Sequence, residues 1–535
     1  MREIDLREFE NRTMPNVLRD QAEHIGDDVW LMFGEVHRTY NEVNECVNRY
    51  SHGLRRQGVG LGDIVAILMD DQEDYVLVCL ALAKLGAIHL TINTAYKGPY
   101  LEHVLGHSQT ERLLVEPKYL SRVHALLPNL PKLRQVIVQG ADTSDPLGNL
   151  EVLNLKGLLS DNVGEPSNEV LPSTVMSVLY TSGTTGLSKG AMMSHGYWTY
   201  ASQALYRIRD ARPGDVFFCP TPMFHAGVWL YNIYSALLSG LSVGIDDHFS
   251  VTTFWDRVRL YQATHLQTIG AMHMFLWAQP ESPDDADNSA RVWVPVPLPP
   301  ELWEPFKKRF GIQHLVFNFG QTEVVPVTSS TVGSITKPGS AGTAMPHLEV
   351  KIFDENDEEQ APDVTGEICI RPKEPHTMFE GYLNNPEATV NVWRNLWHHT
   401  GDLGKMDEDG ELYYVDRKQD FLRRRGENIS SFEVESAVAR HEAIAAVVAH
   451  AVPSEYTEDE LKICVLLKDG ATLNYEELFE HCVQNLPYFC VPRYLEFIDE
   501  LPLTPSGRVQ KYLLRQRGVS ENTWDRDAAG LTVMR

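Results

Sequence analysis

What this chain lacks narrows it first. Its longest plain apolar run, Tyr75 to Ala83, is too short to span a bilayer and is stopped by Lys84. The opening residues, Met1-Arg2-Glu3-Ile4-Asp5, are charged and hold no apolar signal-peptide core, so a cytoplasmic protein is expected. Positive charge is scarce: Lys and Arg number 47 against 73 Asp and Glu, a formal net charge of −26. Such a surface repels nucleic acid and anionic membranes, and any anionic ligand must be held by local clusters of positive charge. The seven cysteines include no close pair, which argues against a zinc site or a disulfide framework. There is no internal repeat and no low-complexity tract.

What is present is an ordinary globular composition, 43% hydrophobic and 22% charged, over 535 residues. That length predicts two or more domains. Strand-like and helix-like runs alternate. Ile64 to Met69, Asp74 to Leu85 and Ile88 to Ile92 read as strand, helix and strand. Val216 to Phe218, Val228 to Leu238 and Leu241 to Val243 repeat the pattern. Such units imply an α/β fold with parallel strands and helical crossovers. Gln313 to Asn318 reads as a further buried strand, and Pro280 to Asn288 as an acidic surface loop. The residues after Gly518 have little periodicity and read as a disordered tail.

The most informative segment runs from Thr181 to Gly190. It mixes hydroxyl side chains with glycines and a lysine, Lys189, around a single apolar residue, Leu187. Glycines bring backbone N–H groups close to an anion, hydroxyls add donors, and lysine adds positive charge. Val175 to Tyr180 reads as the buried strand that delivers this loop. The spacing differs from the Walker pattern. A flexible linker is the plain alternative, but linkers rarely follow a buried strand.

Tyr180 to Gly190 resembles the signature of the adenylate-forming superfamily of acyl-CoA synthetases, luciferases and peptide-synthetase adenylation domains, with Ser188 where that family usually has proline. The resemblance covers nearly the whole chain. It implies a large N-terminal α/β domain of parallel-rich sheets with a small β region (1–417), a hinge (418–420) pivoting at Gln419, a mobile C-terminal α+β domain (421–517) and a tail (518–535). Thr181, Ser182, Gly183, Thr184, Thr185 and Lys189 match its phosphate loop. Phe319, Gly320 and Thr322 match its adenine and α-phosphate motif, and Glu323 its Mg²⁺ ligand. Asp402, in His399-Thr400-Gly401-Asp402, and Arg417 match its ribose contacts. His225, in Pro222 to Gly227, matches a residue gating the acyl and pantetheine tunnels. Trp229 and Met272, with Met274, suggest an apolar acyl lining. The basic run Arg423-Arg424-Arg425, with Gly426 and Glu427, suggests a coenzyme A site, in a form most like the carnitine/crotonobetaine-CoA ligase branch.

Two departures stand out. Val294-Pro295-Val296-Pro297 replaces an adenine-contacting Gly-Gly-Ala-Pro, and Pro295 has no backbone donor. Arg508 replaces the lysine that reaches the α-phosphate during adenylation, leaving Lys511 at a second, less critical position. Arginine keeps the charge but changes shape and reach. The implied reaction makes acyl-AMP from ATP and a carboxylic acid, then a thioester with CoA. Arg508 suggests that adenylation is weak or absent, a division of labour resembling the platensimycin-pathway diterpenoid-CoA ligases. A fully competent two-step synthetase and a non-catalytic nucleotide-binding relative are the alternatives. A cysteine hydrolase using Cys219 and His225 is disfavoured, since no nucleophile elbow surrounds Cys219. A homodimer stays open.

Overall fold

The computed structural model describes residues 1–140, 147–167, 169–181, 188–269, 272–296, 298–417, 421–424, 427–454, 459–502, 509 and 511–533. Continuous apolar runs become strands buried on both faces. In Ile64–Leu68, Val65 and Ile67 enter one buried cluster while Ala66 and Leu68 enter another. That explains why no polar alternation marks the run. The strand pairs in parallel with Ile88–Thr91 and Arg112–Val115. Gln135–Val138 and Glu151–Asn154 continue the sheet on one side, also parallel. On the other side Val175–Thr181 adds in parallel, and Lys189–Ser194 and Gly381–Tyr382 add antiparallel.

A second sheet orders His314–Leu315, Val292–Val296, His265–Ile269, Val216–Cys219, Ser242–Ile245, Val29–Phe33 and Val36–Thr39, parallel except for the last pair. The helices Met14–Ile25, Gln72–Leu85, His195–Ile208 and Tyr234–Ser239 share one buried cluster with strands of both sheets. Gln72–Leu85 is buried from Tyr75 to Leu85, the apolar run to Ala83 being followed by a buried Lys84 that pairs with Glu165 at 2.6 Å. Asp71 caps its start, accepting from the Asp74 N–H, and Gly86 ends it at φ 67°. The segment after Gly227 winds as a π-helix over Val228–Ile233 before becoming α-helical.

An antiparallel sheet of Leu348–Phe353, Gly366–Pro372, Trp393–Arg394, Trp397–Met406 and Leu412–Arg417 forms the small β region. Beyond it come the hairpin Phe421–Arg424 with Glu427–Ser430 and the sheet Ile444–Pro453, Asp459–Leu467, Tyr494–Phe497. No helix among the described residues is long and apolar enough to cross a membrane.

Two expectations change. The residues after Gly518 are packed rather than disordered: Trp524–Asp525 pairs with Tyr494–Phe497, and the Trp524 ring stacks on Tyr475 at 5.7 Å. Their aromatic and ion-pair contacts are tertiary and leave no periodicity. The run Gln313 to Asn318 splits, with His314–Leu315 in the second sheet and Asn318–Gln321 turning to pair antiparallel with Val324–Ser329. Pro295, the residue without a backbone donor, lies within the strand Val292–Val296. His314–Leu315 pairs only at Val292 and Trp293, so Pro295 faces a single neighbouring strand.

Candidate active site

The loop singled out in the sequence joins Val175–Thr181 to its antiparallel neighbour Lys189–Ser194, with Thr181 opposite Lys189. Ser182, Gly183, Thr184 and Thr185 lie outside the described residues. A Cβ at Gly190 would come within 2.8 Å of Val178 Cγ1, so the return strand needs glycine there. Lys189 sends its ammonium over the Tyr382 ring, 4.8 Å from the centroid. Burial pulls its pKa below the usual lysine value, and nearby Glu323 opposes that.

Glu323 and Lys189 are tied through Tyr382. The Tyr382 hydroxyl donates to Glu323 Oε1 at 2.7 Å. Burial, then the Glu323 charge, holds that phenol well above its ordinary pKa, so it stays a donor. Thr322 accepts at its carbonyl from the Tyr197 hydroxyl, 3.0 Å away. A Cβ on Gly320 would meet Val325 Cγ2 at 2.7 Å, so the tight Phe319 to Glu323 turn has no room for one. Phe319 stacks with Tyr414, ring centroids 6.0 Å apart. Gln321 Nε2 donates to Asp402 Oδ2 at 2.6 Å and to the Thr400 carbonyl at 2.9 Å. Asp402 is opposite Arg417 in the strand register. Lys189, Phe319, Thr322, Glu323 and Asp402 therefore converge, although they come from three regions of the sequence.

Behind Asp402, His399 Nδ1 lies 3.3 Å from Cys369 Sγ and 3.2 Å from Glu367 Oε2. Among the described residues this is the one group whose donor atoms lie close enough together for a metal. Arg394 Nη2 stands 2.8 Å from the same Nδ1 and brings a positive charge beside it.

The C-terminal region closes over this site. Its hairpin puts Glu427 Oε1 3.2 Å from His225 Nε2. The turn residues Arg425 and Gly426, and also Gln419 and Arg508, lie outside the described residues; Arg423 is described as the register partner of Asn428. Glu433 Oε1 accepts the Ser188 N–H at 2.5 Å. Lys97 Nζ donates to the Val483 carbonyl, and Tyr100 is buried with Leu422, Ile429, Val434 and Cys490. Lys511 stays within the C-terminal region, with Nζ 2.7 Å from both Glu435 and Ser431 Oγ.

Two assignments need correcting. Arg424 is not offered to a ligand. It is 4% exposed, lies 2.7 Å from Glu460 and donates to the Phe489 and Val491 carbonyls. Trp229 is a core residue, 1% exposed, with its indole donating to the Met223 carbonyl and its rings among Tyr75, His89 and Tyr234. Met272 begins the helix Met272–Trp277 and is partly exposed. Tyr197, Tyr382 and Tyr414 were missed. Each is a tyrosine in an apolar or strand setting with no motif around it.

Comparison with known proteins decides the family. Residues 18–383 match the AMP-binding enzyme model, and residues 433–508 match the AMP-binding enzyme C-terminal domain. The chain belongs to the AMP-binding enzyme family. It is a ligase of the adenylate-forming, acyl-CoA synthetase type. A crotonobetaine/carnitine–CoA ligase of Salmonella typhimurium is 30% identical over 523 residues, covering 93% of this chain and 97% of that protein. An o-succinylbenzoate CoA synthetase double mutant from Bacillus subtilis, bound with a product analogue, superposes with a TM-score of 0.81 at 22% identity, covering 96% of this chain and 99% of that one. The same Bacillus enzyme in complex with AMP superposes at 0.65, again at 22% identity, covering 94% and 98%.

Proposed function

We propose that this acyl-CoA ligase joins a carboxylic acid to CoA through an acyl-AMP, and that it is specialised for the thioester-forming half. The observation that carries this reading is the C-terminal hairpin, which brings Glu427 Oε1 to 3.2 Å from His225 Nε2. Arg508 supports weak adenylation.

In the first half a carboxylate oxygen attacks the α-phosphorus of ATP, and pyrophosphate leaves. In the second the CoA sulfur attacks the acyl carbon. The bond from that carbon to the AMP oxygen breaks, AMP keeps the electron pair, and the thiol proton passes to solvent. Lys189 and the Thr181 loop would hold phosphate, Phe319 the adenine, and Asp402, steadied by Gln321, the ribose hydroxyls. Glu323 would hold Mg²⁺. Its carboxylate is a hard oxygen donor fixed by Tyr382 beside Lys189. When bound, such an ion neutralises polyphosphate charge. His225, oriented by Glu427, would stand where acid and pantetheine meet, and Arg423, Arg425 and Gly426 would serve CoA.

The test offers CoA with ATP plus a panel of acids including crotonobetaine and carnitine, and separately with synthetic acyl-AMPs. Thioester from acyl-AMP alone is expected. Fast thioester from ATP and acid refutes the specialisation. Arg508→Lys is expected to raise acid-dependent ATP–pyrophosphate exchange by about tenfold or more, the scale of one well-placed charge contact. A protein that binds nucleotide without catalysis gives no thioester from either input.

A further inference from the structure

We infer that Ser188 and Glu433 form an interdomain latch, in which the phosphate loop itself holds the C-terminal region in the thioester-forming arrangement. This inference deepens the proposed function and rests on its reading of that arrangement.

The two residues are 245 positions apart, yet the Ser188 N–H donates to Glu433 Oε1 at 2.5 Å. Both are buried, Ser188 at 4% and Glu433 at 6% exposure. A carboxyl taken out of water is costly unless hydrogen bonds compensate it. Burial raises the Glu433 pKa from 4.5 to about 7, while the Ser188 backbone and hydroxyl bonds oppose the rise. Ser188 thus offsets part of the cost of burying the carboxyl at this interface.

The sequence adds an independent point. Ser188 occupies the place where the resembled family usually carries proline. A proline there has neither the backbone N–H nor the hydroxyl that Glu433 uses. That departure is therefore the donor half of a contact between regions. The other half, Glu433, sits in the first turn of the helix Ser431–Val438, directly after the hairpin whose Glu427 meets His225. The latch thereby fixes the element that reaches the acyl end. It also commits a loop N–H to a carboxyl, so that this donor is not offered to a phosphate oxygen while the arrangement holds. Glu433 is a positioning residue, acting through the placement of the hairpin.

The experiment compares wild type with Glu433→Ala, Glu433→Gln and Ser188→Pro, each checked for a native melting transition. Two readouts are used: thioester formation from CoA and the best of acetyl-, crotonyl- and octanoyl-AMP, and small-angle X-ray scattering of the ligand-free protein. Glu433→Ala and Ser188→Pro are expected to lose about tenfold in thioester rate, within the usual range of site-to-site coupling. Their scattering is expected to shift toward a larger radius of gyration. Glu433→Gln keeps an acceptor and is expected to recover most of both. Acid-dependent ATP–pyrophosphate exchange, where measurable, is expected to stay level in Glu433→Ala. Unchanged scattering in Glu433→Ala overturns the latch, as does an equal loss in both half-reactions. If wild type makes no thioester from any acyl-AMP, the ligase reading fails instead, and scattering alone still decides the latch.

Discussion

Tyr382 ties Lys189 and Glu323 into one unit. Its ring lies under the Lys189 ammonium and its hydroxyl fixes Glu323. Tyr382→Phe keeps the ring and deletes the donor to a charged acceptor, a loss of about 1.5–3 kcal/mol. AMP binding measured by calorimetry is expected to weaken about tenfold or more, with little change in the melting transition. An unchanged affinity would mean that Glu323 is positioned by other groups. The sequence did not mark Tyr382, because nothing around it departs from an ordinary apolar turn. Arg424 failed in the opposite direction. In an acidic chain a basic run reads as a ligand patch, yet strand alternation puts Arg424 on the same face as Leu422, and both are buried. That period was legible and outweighed the charge. Lys189, Phe319 and Asp402 stood out because their neighbours form unusual strings, and the fold brings them near one another through Tyr382, Glu323 and Gln321.

Elements were more legible than individual contacts. Apolar runs of strand length predicted Ile64–Leu68, Ile88–Thr91 and Val175–Thr181, and a longer run predicted Gln72–Leu85, because burial on both faces leaves no other pattern. The split of Gln313 to Asn318 was not legible, since which sheet a residue joins depends on distant partners. The helix His195–Ile208 shows how the strand Val175–Thr181 is held. Trp198 is fully buried, and its indole donates to Ser177 Oγ at 2.9 Å, within Val175–Thr181. Trp198→Ala should lower unfolding free energy by about 3–5 kcal/mol, read from the urea midpoint at constant slope. A change below about 1 kcal/mol would show that the site collapses to fill the cavity.

At the scale of the whole molecule, the C-terminal region is completed from both sides. From its own end, Arg493 pairs with Asp525 at 3.1 Å and the Arg526 N–H donates to the Arg493 carbonyl, which fastens the last segment to Tyr494–Phe497. Truncation after Gly518 removes the ring that covers Tyr475 and Phe479. The shortened chain is expected to lose an early part of its thermal transition and its thioester activity while keeping AMP binding by the large domain. Equal stability of the two chains would show that the segment only decorates the surface.

From the other end, the large domain contributes Tyr100 to the apolar cluster of Leu422, Ile429, Val434 and Cys490. Any swing of the C-terminal region must pull that ring out and wet the surfaces it joined. Apolar adhesion of this kind loses strength on cooling. Chilling is therefore expected to weaken this contact between the large domain and the C-terminal region, and warming toward the physiological range to tighten it.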